Sequence, residues 1–289
     1  MAILVTGASG LIGSQVLSFL KPDAVEIRAL TRSPETANFP AGVTAVKGDL
    51  SDVEGFRAAL EGVSTLFLLG PNVADESTQV LLALNAARDA GVKGVVYLSV
   101  YKAGEFADLP HFASKAAVER MIEAYDLPVT VLRPAFFMQN DVRLRQALTT
   151  YDVYGMPIGK RGISMVDIRD IGEAAAKELM RREEADGPLP RVAYDLVGPD
   201  ALTGDDLATL WSEILDRPIA FGDDLEAFEQ NLKPFAPAWY VYDLKLMMRR
   251  YQLQGAIASS AEVARMETLL GHPARTYRAF AEELAASWN

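Results

Sequence analysis

Cysteine is absent from this chain of 289 residues, histidine occurs only twice, and no apolar stretch reaches the roughly 18 residues needed to span a bilayer. The lack of cysteine excludes disulfides, thiolate catalysis and histidine–cysteine zinc sites. Two histidines are too few for a histidine-rich metal site, so we expect no metal ion. The N-terminal segment "MAILVTGASG" has no basic region, so we expect no signal peptide. These absences predict a cytoplasmic protein with no membrane partner.

Positive charge is also scarce. The chain has 28 lysine and arginine residues against 39 aspartate and glutamate residues, a formal net charge of −11. A nucleic-acid-binding surface is usually basic, and the one local basic cluster, "MRRY" at 248–251, is small. We therefore expect no nucleic-acid partner. Half of the residues are hydrophobic and 23% are charged, which is typical of a folded, soluble domain.

Short β-branched segments alternate with helical patterns through the first 150 residues. The predicted strands are 2–6, 25–31, 43–49, 64–70, 92–100 and 128–134. The predicted helices are 11–20, 52–60, 77–91 and a further helix that carries "HFASK" at 111–115. Strands that are apolar on both faces and alternate with helices indicate a parallel sheet covered on both sides. The pattern predicts an α/β fold with a doubly wound parallel sheet.

The pattern changes after residue 150. The later predicted elements are a strand and then a helix within 161–180, a strand at 192–198, a helix at 203–219 with Thr203 as N-cap, and a mostly helical remainder interrupted at 233–239. We predict two domains. Residues 1–150 would bind a nucleotide, with 165–182 returning to that domain, and 151–289 would form a smaller substrate-binding α/β domain.

The first predicted strand leads directly into a glycine-rich turn, "TGASGLIG" at 6–13. Glycines at this spacing permit a tight turn, a close approach of pyrophosphate to the backbone, and close packing of the helix on the strand. The helix N-terminus supplies N–H donors and partial positive charge to the phosphates. The alternative is a glycine-rich turn without a ligand. The candidate cofactor-binding residues here are Gly7, Ser9, Gly10, Leu11, Ile12 and Gly13.

The end of the second strand bears on the choice between NAD and NADP. A carboxylate at this place would accept a hydrogen bond from the ribose 2′-hydroxyl of NAD. The stretch here is "ALTRSPE" at 29–35, in which Arg32 and Ser33 occupy that place. A guanidinium matches a 2′-phosphate, so we expect NADP(H). The alternative is an arginine that faces solvent and binds nothing.

Two further strand ends supply candidates, because ligands bind at the carboxyl edge of open α/β sheets. "GDL" ends the third strand at 48–50, and "LLGPN" ends the fourth at 68–72. Asp49 could accept from the adenine amino group, or it could be only the N-cap of the helix at 52–60. The candidate cofactor-binding residues in these stretches are Asp49, Leu50, Leu69, Gly70 and Pro71, and Asn72 is a substrate candidate.

Together with "YLSV", "HFASK", "VLRPAFFMQN" and "MVDIRDIGEAAAKEL", these motifs resemble the NmrA-like group of atypical short-chain dehydrogenases/reductases. The resemblance covers most of the chain and is loose after about residue 220. It implies a Rossmann-type domain, NADP(H) binding and a small C-terminal domain that forms the substrate cleft. The group contains quinone reductases, a triphenylmethane dye reductase and isoflavone-type reductases. It also contains regulators that bind the nucleotide without turnover.

The resemblance gives "HFASK" a role. Related reductases carry Tyr-x-x-x-Lys, and here His111 stands in the tyrosine position while Lys115 is kept. Lys115 would bond the nicotinamide ribose hydroxyls, and His111 would donate a proton or hold the substrate. Tyr101, after the fifth strand, is a second candidate proton donor. The alternatives are an exposed basic pair at a helix start and, for Tyr101, a packing residue.

The remaining candidates follow the fifth and sixth strands and a late aromatic segment. Ser99, Pro134 and Phe137 would line the nicotinamide, and Phe136, Met138, Asn140 and Trp239 would contact the substrate. Aromatic runs are more often core, so packing is the alternative for each.

The leading hypothesis is an NADPH-dependent oxidoreductase that transfers hydride to a flat, electron-poor acceptor such as a quinone, an aromatic polyketide or a dye. The substituted tyrosine leaves a second hypothesis open, a non-catalytic NADP(H)-sensing regulator that binds a protein partner. An isomerase or epimerase is a third and weaker reading. We expect a monomer or a weak homodimer.

Overall fold

The structure, a computed structural model, describes residues 2–288. The strands are β1 Ala2–Val5, β2 Glu26–Thr31, β3 Val43–Lys47, β4 Val63–Leu68, β5 Gly94–Leu98, β6 Val129–Pro134, β7 Val153–Tyr154, β8 Val192–Leu196 and β9 Ala220–Phe221. The helices are α1 Leu11–Phe19, α2 Val53–Ala59, α3 Glu76–Asp89, α4 Pro110–Ala124, α5 Arg145–Thr150, α6 Ile168–Glu184, α7 Gly204–Leu215, α8 Leu225–Leu232, α9 Ala238–Gln254, α10 Ser260–Leu270 and α11 Tyr277–Ala286. A 3-10 helix spans Met138–Leu144.

Seven strands form one sheet in the order β3-β2-β1-β4-β5-β6-β8. The pairings from β3 through β6 are parallel. All six residues of β4 are buried, including the polar residues Ser64 and Thr65. Strand order reverses between β1 and β4, and the carboxyl ends of those two strands flank the crevice where such sheets bind ligands. The predicted doubly wound α/β fold is confirmed.

One predicted strand is wrong. The sequence predicts a strand just ahead of α6, but the structure has only isolated bridges there. Ile163 pairs with both Leu202 and Ala256, and Val166 pairs with Phe137. Each residue meets a different stretch of chain, so no continuous ladder forms. The segment is apolar and β-branched because it packs into the core: Ile163 and Val166 are almost fully buried.

The chain divides into two compact units. The first comprises Met1–Gly104, His111–Arg133 and Ile168–Asp195, and the second comprises Glu105–Pro110, Pro134–Asp167 and Leu196–Asn289. The first unit therefore includes α6, whereas the second begins earlier than the predicted boundary at residue 150. No change in composition marks residue 134, because the chain remains apolar through "RPAFFM".

The second unit is mostly helical and also contains the short parallel pair β7–β9. Thr203 is the N-cap of α7, as predicted, and forms a capping box with Asp206. Its side-chain oxygen accepts from Asp206 N at 3.1 Å, and the Asp206 carboxylate accepts from Thr203 N at 2.9 Å. No helix within residues 2–288 is both long and apolar enough to cross a membrane.

Candidate functional site

The turn between β1 and α1 has a backbone that requires glycine at two positions. Gly7 has a φ of +61°, a left-handed conformation that favours glycine. A Cβ on Gly13 would lie 2.2 Å from Gly7 O, closer than any real contact. Gly10 is the N-cap of α1 and has no side chain to cap it, and the first helical bond runs from Ser14 N to Gly10 O. The N–H groups at the start of α1 therefore remain available to an anion.

The loops that follow β1 and β4 are tied together by Thr6. Its hydroxyl donates to Leu69 O at 3.1 Å and accepts from Leu69 N at 2.8 Å. A Cβ on Gly7 would also lie 2.9 Å from a terminal carbon of Leu69. This contact fixes the two sides of the crevice relative to each other. Sequence reasoning did not single out Thr6, because the two segments are 63 residues apart.

At the ends of β2 and β3, Arg32 and Ser33 are exposed and Asp49 is half-buried. Hydrogen bonds from the backbone and hydroxyl of Ser51 lower the pKa of Asp49, and the positive charge of Arg32 lowers it further. The alternative role of Asp49 as helix N-cap is wrong, because Asp52 caps α2 by accepting from its third residue. Asp49 therefore presents a charged carboxylate in the electrostatic range of Arg32.

Lys115 is not on an exposed edge. Its Nζ donates to Glu76 Oε1 at 2.7 Å, and the two side chains are only 14% and 8% exposed. The ammonium also lies 3.4 Å from Leu98 O and 6.0 Å from the centroid of the Tyr97 ring. The reading of "HFASK" as a wholly solvated basic pair is therefore wrong for Lys115. Sequence reasoning missed Glu76 altogether.

A second charged group lies one turn further along α4. Glu119 accepts from the hydroxyl of Ser99, at the end of β5, and from Arg133 at 2.6 Å. Arg133 in turn lies 3.7 Å from the carboxylate of Asp195. Ser99 is almost fully buried, and its hydroxyl is engaged with α4. This network anchors the inner face of α4 to the sheet.

The two candidate proton donors differ in exposure. His111 lies half-buried in the first turn of α4, with its ring 4.6 Å from that of Phe112. Tyr101 is buried, and the ammonium of Lys102 lies 5.1 Å from its ring centroid. Tyr97 on β5 is another buried phenol in this unit. Its hydroxyl has no hydrogen-bond partner among the described residues, and burial, with the charges of Glu76 and Glu119, raises its pKa well above the usual value.

The remaining candidates of the first unit lie in the loops after β3 and β4. Leu50 and Gly70 are buried, Leu69 and Pro71 are half-buried, and Asn72 is exposed. The loops after β1 through β5 and the first turns of α1 and α4 therefore carry every candidate of this unit. All these loops follow parallel strands, so they lie at the carboxyl edge of one sheet.

The second unit holds the other six candidates. They are Pro134, Phe136, Phe137, Met138, Asn140 and Trp239. Phe136 is buried with its ring 5.9 Å from that of Tyr251, and Met138 is almost fully buried. Asn140 is half-buried, and Trp239 is 40% exposed near the start of α9. The packing alternative thus describes Phe136 and Met138 better than Asn140 or Trp239.

A buried carboxyl anchors the 3-10 helix that carries Met138 and Asn140. Asp141 is fully buried and accepts from the hydroxyls of Tyr154 and Tyr277, the former at 2.9 Å. Its other oxygen, Oδ1, finds no partner within residues 2–288. Burial raises the pKa of Asp141 to about 7, against the two tyrosine hydrogen bonds, which lower it. Nothing in the local sequence predicts this cluster, because its members are far apart along the chain.

Comparisons with known proteins find matches over nearly the full length of the chain. The model of the NmrA-like family matches residues 1–280. The NAD(P)H azoreductase of Xenophilus azovorans is 28% identical over 289 residues, which is 99% of each chain. The (4-alkanoyl-5-oxo-2,5-dihydrofuran-3-yl)methyl phosphate reductase of Streptomyces griseus is 31% identical over 290 residues, again 99% of each. The structure of the NADPH-dependent quinone oxidoreductase of Escherichia coli with NADPH superposes with a TM-score of 0.84, at 26% identity, covering 99% of this chain and 100% of that one.

Proposed function

The chain belongs to the NmrA-like family, and we propose that it is an NADPH-dependent oxidoreductase that passes hydride to a flat, electron-poor acceptor such as a quinone, an aromatic polyketide or a dye. The observation that carries the proposal is the β1–α1 turn, where Gly7 and Gly13 allow a tight, closely packed turn that leads into a helix N-terminus without a side-chain cap. The relatives support it, since an azoreductase and a quinone oxidoreductase match along their whole lengths.

The residues of the first unit suit NADP(H). The pyrophosphate would bind the N–H groups at the start of α1, and Arg32 is exposed and available to a 2′-phosphate. Asp49 would accept from the adenine amino group, and its charged carboxylate lies within electrostatic range of Arg32. The other proposed cofactor contacts in this unit are Ser9, Gly10, Leu11, Ile12, Ser33, Leu50, Leu69, Gly70, Pro71 and Ser99.

NADPH, when bound, supplies a hydride, and a quinone that accepts it needs one proton to become a hydroquinone. Lys115 would hold the nicotinamide ribose and contribute positive charge beside the reacting ring. The half-buried His111 is the proposed proton donor, since an imidazolium N–H can act as a general acid and the side chain is partly exposed. Tyr101 is the alternative donor, but its burial makes it harder for a substrate to reach.

The proposed substrate residues are Asn72, Phe136, Met138, Asn140 and Trp239. Asn140 and Trp239 keep part of their side chains exposed, so they can contact a ligand without displacing core atoms. A flat aromatic acceptor would stack on the indole ring, and the amide would orient a carbonyl oxygen.

The proposal is tested by following the nicotinamide absorbance of NADPH with a panel of quinones, aromatic ketones and azo dyes. Wild type should oxidise NADPH with at least one acceptor, and Lys115→Ala should lose most of that rate. Lys177→Ala is the matched control, because Lys177 is a surface lysine that pairs with Glu173 on α6.

Two further variants identify the proton donor. His111→Ala should slow turnover more than Tyr101→Phe if the imidazole donates, and the reverse order would assign the phenol. Tight NADPH binding without oxidation by any acceptor would contradict the enzyme and favour the nucleotide-sensing regulator.

A further inference from the structure

Glu76 and Lys115 join the starts of two helices on the same unit. Glu76 is the first residue of α3, which follows β4, and Lys115 lies in α4, which follows β5. Their side chains meet at 2.7 Å although 39 residues separate them along the chain. A carboxylate in the first turn of a helix is favoured by the helix dipole. The pair therefore lies beside the β4 and β5 ends, where the candidate nucleotide site is.

The loop that precedes α3 packs against the side chain of Glu76 and fixes its position. A Cβ on Gly70 would lie 2.8 Å from Glu76 Oε1 and 2.7 Å from a methyl carbon of Val80. Any side chain at residue 70 would thus displace the carboxylate. Glu76 is 6% exposed, so it cannot swing into solvent without disturbing this packing. The carboxylate is held in one place by the fold.

The ion pair leaves Lys115 able to bind a ligand. An ammonium has three donors. One is used at 2.7 Å by Glu76, and Leu98 O lies at a long 3.4 Å. The third N–H can donate to a ribose hydroxyl. The long contact to Leu98 O can also be replaced by a hydrogen bond to a closer acceptor. Glu76 therefore orients the ammonium of Lys115 and leaves donors of that ammonium for a ligand.

We infer that Glu76 is a positioning residue that keeps the Lys115 ammonium charged and directed at the ribose hydroxyls of the nicotinamide nucleotide. The inference rests on the proposed function and extends it to a residue that touches neither cofactor nor substrate. A buried ammonium without a counter-charge favours its neutral form, which would be a weaker donor to the ribose.

Other charged groups around Lys115 do not replace Glu76. Tyr97 on β5 presents its ring to the ammonium, and burial keeps that phenol neutral. Glu119, on α4 itself, is already paired with Arg133 on β6 and with the Ser99 hydroxyl. His111 lies one turn earlier on α4 and adds no negative charge. Glu76 therefore supplies the contacting negative charge.

The test compares nucleotide affinity and kcat/KM for NADPH across pH 6 to 10 in wild type and Glu76→Gln. The glutamine keeps the size and the acceptor oxygen but removes the charge. We expect the Kd and KM for NADPH to rise by about tenfold or more. The reason is that the hydrogen bond from Lys115 to the ribose weakens when Glu76 no longer holds the ammonium. We also expect the alkaline limb of both profiles to move to lower pH.

Two more variants separate positioning from folding. Asp75→Asn removes one negative charge from the adjacent, exposed residue, and it should leave both profiles unchanged. Glu76→Asp keeps the charge with a shorter reach, so the alkaline limb should stay in place while KM rises. Should Glu76→Gln fail to fold, Glu76→Asp carries the test, and an affinity equal to wild type would overturn the inference.

The outcomes distinguish this inference from the proposed function. A lower Tm in Glu76→Gln with unchanged pH profiles would show a purely structural ion pair and overturn the inference. Wild type that binds NADPH but reduces no acceptor would contradict the proposed function alone, because the affinity profiles still report on Glu76.

Discussion

Replacing Asp141 by asparagine should change how the stability of the protein depends on pH. Burial raises the pKa of this carboxyl from 3.8 to about 7 in the folded protein. Between those values the folded state holds a proton that the unfolded state has released. The free energy of unfolding therefore falls as pH rises through this window, and the stabilising contribution is lost above pH 7. Asparagine resembles the protonated carboxyl and does not titrate.

The magnitude follows from the size of the shift. One pKa unit corresponds to about 1.4 kcal/mol, so the free energy of unfolding falls by about 4 kcal/mol across the whole window between the two pKa values. Over the accessible range from about pH 5 to pH 8, wild type should lose about 2.5 kcal/mol relative to Asp141→Asn. Subtracting the two proteins cancels the contributions of all other titrating groups.

Urea unfolding of both proteins at several pH values measures this difference directly. Tyr277→Phe is a second variant with an opposite expectation. It removes a hydrogen bond that lowers the pKa of Asp141, so the loss of stability should extend to higher pH. Parallel stability curves for wild type and Asp141→Asn would refute the reasoning, since they would mean that the carboxyl is ionised throughout.

Two further changes probe the nucleotide site. Gly13→Ala places a Cβ 2.2 Å from Gly7 O, so it should lower the free energy of unfolding by about 1–3 kcal/mol in a thermal melt and abolish NADPH binding. Gly187→Ala is the control, because its Cβ would have no neighbour within 4 Å. Arg32→Ala should weaken NADPH binding about ten- to hundredfold and leave NADH binding unchanged, and equal losses for both nucleotides in a fluorescence titration would contradict a 2′-phosphate contact.

The parts of the fold that the sequence predicts well are those governed by local chemistry. The β1–α1 turn needs glycine at Gly7 and Gly13 for reasons of backbone conformation and close approach, and both are visible in eight consecutive letters. Thr203 is a good N-cap in any context, and the structure has it as one. The parallel sheet follows from strands such as β1 that are apolar on both faces.

The parts that the sequence does not predict depend on partners far along the chain. Glu76 is one acidic residue among 39 aspartates and glutamates until folding brings it to Lys115. Asp141 gains its perturbed pKa only because burial removes water and two distant tyrosines surround it. The wrong strand ahead of α6 has the same origin, since pairing partners rather than local preference decide whether a ladder forms.

The measurement that tests the central claim most directly is single-turnover oxidation of protein-bound NADPH on rapid mixing with a quinone. The account predicts that the nicotinamide absorbance is lost, that deuterium at the transferred position slows the loss, and that Lys115→Ala slows it further. Bound NADPH whose absorbance does not change with any acceptor, or changes equally fast in wild type and Lys115→Ala, would contradict it.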